Sequence, residues 1–424
     1  MNPVSVAAAE NSVSTSRILK AAIGGLGMTQ IIAWGSIYYG LAVVGPSITA
    51  EFGWAAQWTY VGFSAALVVA GLCSPLSGQM IDRYGGRAIM SAGSVIAAVG
   101  LMMLAMSHSW TGYLSAWIVL GAAKSMVLYE AAFATLAQIS VVNARRSIIY
   151  LSFFGGLAST FSWPITRLLH DHIGWRETYV FYAALAAFVC LPIHLLILPK
   201  RRLMIDAPLA KPEVRSDGTT PNYSARFVRL APIVLSGSFA MTAFMWSGIS
   251  VHLLTMFQLL GFAASTAVVL GSMIGPAQVL GRIGDMVFGS RVHPLTVLQF
   301  SSALLPIAFA LLFGGAGMAL AAGIFAIGYG LGIGMNTIAR GAVPLALFGP
   351  VGYGARLGRI AAPSFIAEAA APIVYAAVIT HSGVWGGFGL AAVAACLAWL
   401  GVLILSVLYS RERNTPIINA GSAV

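Results

Sequence analysis

The sequence GQMIDRYGGR, which begins at Gly78 and ends at Arg87, joins two long apolar stretches of the chain. Its first glycine lets a neighbouring helix approach closely, and Gly85 permits a tight turn. Asp82 can bind the N-terminus of a helix from elsewhere in the chain, because the free N–H groups there carry partial positive charge. Arg83 and Arg87 are typical of a loop on the inner side of a membrane. The stretch therefore predicts a short inner loop between two membrane helices.

The composition is that of a membrane protein. Of 424 residues, 59% are apolar and 8% are charged, whereas a soluble domain carries about 25% charged residues. Twelve apolar segments of helical length remain when the sequence is cut at clusters of charge, proline and glycine. We therefore predict an all-α membrane protein with twelve transmembrane helices.

The predicted helices fall into two halves of six. The expected organisation is a cytoplasmic tail at residues 1–20, a first six-helix bundle at 21–198, a cytoplasmic linker at 199–229, a second bundle at 230–409 and a cytoplasmic tail at 410–424. The halves look alike, since Gly78 and Asp82 recur as Gly281 and Asp285, 203 residues later. Parallel repeats of six helices occur in transporters that bind substrate between the halves near the midplane.

The net charge of +11 reflects orientation rather than nucleic acid binding, because the cations are scattered between apolar runs. They concentrate in predicted inner tails and loops, including Arg282, whereas the outer ends hold Arg167 and Arg176. This bias places both termini in the cytoplasm. All three cysteines fall within apolar runs, and the sequence has no zinc-ligand cluster, phosphate-binding lysine motif or supported Ser-His-Asp arrangement. We therefore expect no metal, no cofactor and no enzymatic activity.

The sequence from Gly78 to Arg87 resembles the loop signature G-x-x-x-D-R-x-G-R-R/K of the major facilitator superfamily. One position departs from it, since Gly86 stands where the family usually has Arg or Lys. The resemblance covers residues 20–410 and implies two pseudo-symmetric six-helix bundles that move a solute by alternating access. It also implies that the first, fourth, seventh and tenth helices line the cavity. Conformational switching, rather than substrate affinity, would then depend on Gly78, Asp82, Arg83, Gly85 and Arg87.

Other stretches suggest a branch of that family. Glu51-Phe-Gly-Trp54, Gly174-Trp175-Arg176 and the run from Arg340 to Gly349 look like a bacterial branch loosely similar to monocarboxylate porters. The Gly-Pro repeat that marks antiporters in the fifth helix is absent, and Gly155-Gly156 stands there instead. This difference argues against a drug exporter. The resemblance implies a multi-pass protein of the bacterial inner membrane.

Ionisable residues inside the spans are the main candidates for binding and coupling, because an unpaired charge at the bilayer centre is costly. Lys124, Glu130, Arg340 and Glu368 qualify. Alignment of the halves places Arg340 opposite Glu130, so we expect these residues to form an ion pair between the halves that acts as an inner gate. Two alternatives are that the pair is static and structural, or that Glu130 carries the coupled proton. Lys124 is expected to face the cavity and attract an anion, with a snorkelling or neutral lysine as the alternative. Arg167 is more typical of an interfacial anchor.

Aromatic and polar residues supply the remaining candidates. Trp34 and Tyr38 are four residues apart on the first helix, so they share a face that suits a ligand wall. His252 and Trp246 in the seventh helix and Asn336 in the tenth are similar candidates. Ordinary packing is the alternative for each of them.

The sequence favours a secondary active transporter of a small organic solute. Charge within the spans is mostly positive, which favours an organic anion such as a monocarboxylate. We expect ion coupling by symport or antiport, with protons as the candidate ion, and a monomer in the lipid bilayer with no nucleic acid partner. Proton-driven efflux of amphipathic drugs or metabolites is the alternative within transport. A transporter-like sensor or a lipid-handling membrane protein is the alternative from another class.

Overall fold

The computed structural model describes residues 3–200, 223–315 and 317–414, and within these ranges it is built from helices without strands. The predicted linker falls mainly on residues 201–222, which lie outside the described residues. Residues 415–424 of the predicted C-terminal tail also lie outside them.

Among the described residues, eight α-helices form the first half and six form the second. The first half contains α1 (Pro3–Trp34), α2 (Gly40–Phe52), α3 (Ala56–Tyr84), α4 (Gly86–Ala105), α5 (Trp110–Val127), α6 (Tyr129–Ile139), α7 (Ala144–Leu185) and α8 (Leu191–Leu196). The second half contains α9 (Ala225–Leu259), α10 (Ala264–Ser272), α11 (Ile274–Val287), α12 (Pro294–Gly314), α13 (Ala319–Phe348) and α14 (Tyr353–Asn414). Short π-helical turns cover Gly35–Tyr39 and Ala186–Cys190, and a 3-10 turn covers Gly289–Arg291.

Ten helical stretches of the described chain are long and apolar enough to cross a membrane. Two of them have 53 and 61 residues, more than twice the roughly 20 residues that one span needs. Each contains a glycine with a backbone conformation that interrupts a helix, Gly174 with φ 85° and Gly383 with φ 69°. Dividing the two stretches at these glycines gives the twelve predicted spans, arranged as two repeats of six.

Large apolar clusters fill the two halves, and a narrower seam joins them. In the seam, Leu67 and Ala70 of α3 pack with Ala361, Phe365 and Ala369 of α14. The seam consists of apolar side chains, many of them small, which allow helices to approach within a membrane.

The tightest point of this seam lies where the last turns of α3 meet the start of α14. A methyl group on Gly354 would lie 2.7 Å from the carbonyl oxygen of Gly78. A methyl group on Gly78 would in turn overlap the Gly354 carbonyl. The close approach expected for Gly78 is therefore present, and its partner is the first turn of a helix from the other half.

Several helices extend beyond the predicted spans. α9 begins at Ala225 because Ser224 caps it, with its hydroxyl oxygen accepting a 3.2 Å hydrogen bond from the Phe227 N–H. The Ser224 N–H donates a 2.8 Å bond to Glu412 near the end of α14. These polar contacts continue both helices past the last apolar residues that define the predicted segments.

Candidate functional site

A cavity lies between the two halves. The first half contributes residues of α1, the π-helical turn at Gly35–Tyr39, α6 and α7. The second half contributes residues of α9, α11, α13 and α14. These elements include the four helices expected to line a cavity, and α7, α11 and α14 complete its wall.

The structure brings most of the predicted binding and coupling residues to this cavity. Those that line it are Trp34, Tyr38, Glu130, Asn336, Arg340 and Glu368. Lys124 and His252 are not part of the wall. Lining residues that the sequence did not single out include Phe133, Phe239, Thr242, Gln278, Arg282 and Thr337.

Glu130 and Arg340 form an ion pair across the halves. Arg340 Nη2 donates a 3.1 Å hydrogen bond to Glu130 Oε1. The side chains are 14% and 30% exposed, respectively, so each charge is largely shielded from water but reachable from the cavity. The contact expected from the alignment of the halves is therefore present. It neutralises one positive and one negative charge of the cavity wall.

Lys124 lies behind the cavity wall rather than in it, contrary to the sequence-based expectation. Its side chain is 1% exposed, and Nζ lies 4.7 Å from the ring centroid of Tyr38 and 5.4 Å from those of Phe63 and Phe365. The ammonium has no hydrogen-bond partner among the described residues. Aromatic rings therefore enclose it and contribute cation–π attraction in place of hydrogen bonds.

Glu368 lies next to this enclosed lysine. Its side chain is 8% exposed, and Oε1 accepts a 2.6 Å hydrogen bond from the Tyr38 hydroxyl. Ser247 donates a 2.9 Å bond to the Glu368 carbonyl oxygen. Lys124 and Glu368 interact electrostatically, although the Tyr38 ring lies against the ammonium. Tyr38, Glu368 and Lys124 thus form one cluster that joins both halves at mid-depth.

His252 and Asn336 have different environments. His252 Nε2 lies 3.0 Å from the Pro372 carbonyl oxygen, and its ring stacks on Tyr375. This position is inside the second half, where the histidine supports α14 next to a proline. Asn336 is 2% exposed, lines the cavity and donates a 3.4 Å bond to Ser302.

Arg282 is the functional candidate that sequence reasoning missed. The positive-inside pattern assigned it to an inner loop, but it lies within α11, is 4% exposed and lines the cavity. It forms no ion pair within the described ranges, and its Nε has no hydrogen-bond partner there. Its position inside the apolar segment 262–286 was the available signal, because a charge within a span faces protein or a water-filled cavity.

Two consecutive glycines of α7 make room for this arginine. A methyl group on Gly156 would overlap the guanidinium of Arg282, and one on Gly155 would overlap the hydroxyl of Tyr129. The Gly155-Gly156 pair therefore accommodates a cation and a tyrosine hydroxyl side by side in the cavity wall.

Aromatic rings form most of the wall on the first half. The Trp34 centroid lies 5.1 Å from that of Tyr38 and 5.3 Å from that of Tyr129. Trp34 Nε1 donates a 3.2 Å bond to Gln30 Oε1, and Gln30 Nε2 donates a 2.7 Å bond to the Val127 carbonyl oxygen. The indole is therefore held in one orientation by a chain of hydrogen bonds that ends on α5.

Two of the predicted loop residues, Gly78 and Asp82, contact the opposite half. Asp82 accepts hydrogen bonds from the N–H groups of Gly354 (3.0 Å) and Ala355 (2.8 Å) at the start of α14, as expected for a carboxylate at a helix N-terminus. Arg83 lies in a cation–π contact with Tyr84, 5.3 Å from its ring centroid. Gly85, with φ 86°, ends α3 in a conformation that favours glycine.

The second repeat forms a matching contact. Asp285 is 1% exposed and lies 3.4 Å from Arg145 at the start of α7. Arg145 also donates a 2.8 Å bond to the Val292 carbonyl oxygen. Both repeated aspartates thus hold the first turn of a helix from the other half, and with the Glu130–Arg340 pair they join the halves at the end that carries these loops.

Comparisons with known proteins agree with this architecture. The sequence profile of the Major Facilitator Superfamily matches residues 26–350. Human monocarboxylate transporter 11 is 26% identical over 163 residues, which cover 38% of this chain and 34% of the human protein. The chain thus aligns with about a third of the length of this relative.

A solved structure shows the same fold over nearly the whole chain. The human organic anion transporter MFSD10 (TETRAN) superposes with a TM-score of 0.68, covering 92% of this chain and 99% of that one at 19% identity. At this identity the likeness concerns the fold. Because the family profile matches well over half of the sequence, the chain belongs to the Major Facilitator Superfamily and is a multi-pass membrane transporter of small molecules rather than an enzyme.

Proposed function

We propose that this protein carries a small organic anion, of the monocarboxylate class, across the bacterial inner membrane by alternating access coupled to protons. The observation that supports the anion is the guanidinium of Arg282, which lies in the cavity wall at 4% exposure without a carboxylate partner among the described residues. A buried cation is costly unless it is neutralised. A substrate carboxylate would neutralise it and accept two parallel hydrogen bonds from the planar guanidinium.

The charges around the cavity support a monovalent anion. Arg340 is paired with Glu130, and Lys124 lies near Glu368. Arg282 is then the cation left without a negative partner. A ligand with one negative charge would balance this set, whereas a cationic ligand would add to the excess.

The names of the similar proteins are consistent with such a substrate. One is named a monocarboxylate transporter and the other an organic anion transporter. Neither likeness is close enough to transfer a substrate, so Arg282 and its surroundings carry the proposal.

We assign the coupled proton to Glu368. This carboxyl lines the cavity, so a proton can reach it, and its bond to Tyr38 joins the halves. Protonation removes the negative charge that makes such a hydrogen bond short and strong. Proton binding would therefore weaken the Tyr38–Glu368 contact between the halves. The binding of a proton is in this way coupled to the movement of the two halves. We further propose that the protein acts as a monomer with both termini in the cytoplasm.

Transport assays on purified protein in liposomes test the anion. Uptake of a panel of carboxylates, their neutral amides and cationic dyes is measured with and without a pH gradient. We expect carboxylates to be transported and Arg282→Gln to lower their apparent affinity by roughly tenfold or more, since hydrogen bonds between charged partners are the strong ones. Arg282→Lys should retain part of the affinity.

Arg167→Gln is the matched control, because its side chain is 67% exposed and pairs with Asp171 outside the cavity. Transport of dyes but not of carboxylates would contradict the proposal and favour efflux of amphipathic compounds. Equal losses in Arg282→Gln and Arg167→Gln would also contradict the role of Arg282.

A further inference from the structure

We infer that the preferred anions are aromatic monocarboxylates, in which a flat ring lies against the aromatic wall while the carboxylate binds Arg282. This inference rests on the proposed function and narrows its substrate class. Each half of the protein contributes rings to the cavity, and the cation lies among them.

The cavity is strongly enriched in aromatic side chains. Seven of its 21 lining residues are Phe, Trp or Tyr, whereas these residues make up 11% of the chain. Five of the seven belong to the first half, and Phe239 and Trp246 belong to the second. Since one third of the wall is aromatic, its composition favours a ligand that itself has a π face.

The aromatic rings of the cavity wall are accessible to a ligand and are not fully buried by packing. Trp117 and Tyr113, which pack inside the first half, are both 0% exposed. By contrast Trp34, Tyr38 and Tyr39 are only partly buried although they lie in the interior. Their remaining exposure is therefore to the cavity.

The wall on the first half is continuous and fixed. Trp34 touches Tyr38 and Tyr129, and Tyr129 stacks on Phe133 with centroids 5.1 Å apart and an interplanar angle of 12°. Gln30 holds the Trp34 indole by a hydrogen bond. Fixed rings lose little side-chain entropy when a ligand binds, so they present a preorganised surface.

The opposite wall is also supported. The ring of Trp246 lies nearly parallel to that of Tyr329, with centroids 6.3 Å apart and an interplanar angle of 13°. Tyr329 is fully buried, so it supports the partly buried tryptophan from behind. A ligand between the halves therefore meets supported rings on both sides.

The cation lies within reach of these rings. Tyr129 and Arg282 occupy neighbouring positions against Gly155 and Gly156, so the guanidinium adjoins the aromatic wall. When the carboxylate of a ligand binds Arg282, the rest of the ligand lies beside Tyr129 and Trp34. A two- or three-carbon acid would leave most of these rings uncovered, whereas a benzoate-sized acid would cover them and bury more apolar area.

Exchange of radiolabelled acids in proteoliposomes tests the inference. Benzoate, cyclohexanecarboxylate and lactate are each measured at pH 8, where carboxylates are ionised, with protein-free liposomes as the blank. Cyclohexanecarboxylate matches benzoate in size but lacks the π system. We expect benzoate to have an apparent affinity roughly two- to tenfold higher than cyclohexanecarboxylate, which is the range for aromatic pairs, and to exceed lactate by more.

Substitutions of the wall make the test specific. Trp34→Leu should reduce the preference for benzoate over cyclohexanecarboxylate, and Trp34→Phe should largely retain it. Trp58→Leu is the control, because this tryptophan is 48% exposed and lies outside the cavity. If Trp34→Leu is not monodisperse after purification, Trp246→Leu tests the opposite wall in the same way.

The outcomes separate the inference from the proposed function. Equal or better exchange of lactate or cyclohexanecarboxylate, still sensitive to Arg282→Gln, would refute the aromatic substrate and leave the anion transporter in place. An unchanged benzoate preference in both Trp34→Leu and Trp246→Leu would refute it as well. Exchange of no carboxylate above the blank would refute the proposed function itself.

Discussion

Tyr38 of the first half donates a 2.6 Å hydrogen bond to Glu368 Oε1 of the second half, and Lys124 lies beneath the same tyrosine ring, 4.7 Å from its centroid. A phenol that donates to a carboxylate binds more strongly than one that donates to a neutral carboxyl group. The contact between the halves therefore depends on whether Glu368 carries a proton. The π-helical turn at Gly35–Tyr39 places Tyr38 at this position, and such turns are frequent at functional sites.

Glu368→Gln should separate transport from the proton gradient. The amide cannot bind or release a proton, so we expect accumulation driven by a pH gradient to be lost while exchange of internal for external substrate continues. Tyr38→Phe keeps the carboxyl group but removes the hydrogen bond through which its protonation acts on the two halves, so it should also reduce gradient-driven accumulation, though by less than Glu368→Gln. Glu177→Gln, an exposed carboxylate of α7, serves as control. Normal gradient-driven accumulation in Glu368→Gln would assign the proton elsewhere.

Substitution of Lys124 should change the pH dependence of transport more than substrate affinity. Its ammonium lies behind the wall and interacts electrostatically with Glu368 and Glu130. Lys124→Met removes this positive charge from the surroundings of Glu368, so the pH midpoint of gradient-driven uptake should change while the affinity for the anion is largely retained. A large loss of anion affinity with an unchanged pH midpoint would instead support direct contact with the substrate.

The fold could be predicted from the sequence because bilayer thickness fixes helix length. Both helix breaks also carry a visible signal, since Gly174 and Gly383 lie between predicted segments. The contact of Asp82 with a helix N-terminus follows from the chemistry of a carboxylate beside free N–H groups. These features depend on local sequence, so a single sequence suffices for them.

The site was less predictable because depth and rotation of a helix are set by tertiary packing. Arg282 was assigned to a loop although it lies in the wall, and Lys124 was placed in the wall although rings enclose it. The first error concerns the depth of a residue along its helix, and the second concerns the direction in which its side chain points. The aromatic wall was visible only in part, since Phe239 and Phe133 look like ordinary apolar residues of a span.

The Glu130–Arg340 pair is expected to act as a gate that must open during the cycle. Removing one partner leaves the other charge partly buried, with a penalty of about 3 to 5 kcal/mol for a fully buried pair that cavity water reduces here. Glu130→Gln and Arg340→Gln should each impair transport, and the swap Glu130→Arg with Arg340→Glu should restore part of it. If Glu130 carried the coupled proton instead, Glu130→Gln would lose gradient-driven uptake but keep exchange, and the swap would rescue nothing. Wild-type behaviour of all three variants would exclude both roles.

Asp82→Asn should slow transport strongly and leave equilibrium binding within a few fold. The carboxylate holds the first turn of α14 by two hydrogen bonds and is not part of the cavity wall, so its loss changes how the halves separate rather than how the substrate is bound. Asp171→Asn, which alters an exposed carboxylate of α7, should transport normally. Turnover is followed in proteoliposomes and binding in detergent. Loss of binding with normal turnover of the remaining complex would contradict a switching role.

Gly156→Ala should weaken anion binding without touching a charged residue. The added methyl group would overlap the guanidinium of Arg282, and because the overlap involves the end of a flexible side chain, the arginine can shift instead of the helix. Alanine also favours a helix by up to about 1 kcal/mol over glycine, so the thermal stability of the protein should hold while carboxylate affinity falls by about tenfold, or ~1.4 kcal/mol. Gly284→Ala is the matched control two residues from Arg282, since no atom lies within 4 Å of its added methyl group. Comparable affinities of the two variants, measured by carboxylate exchange, would mean that the position of Arg282 does not set anion binding.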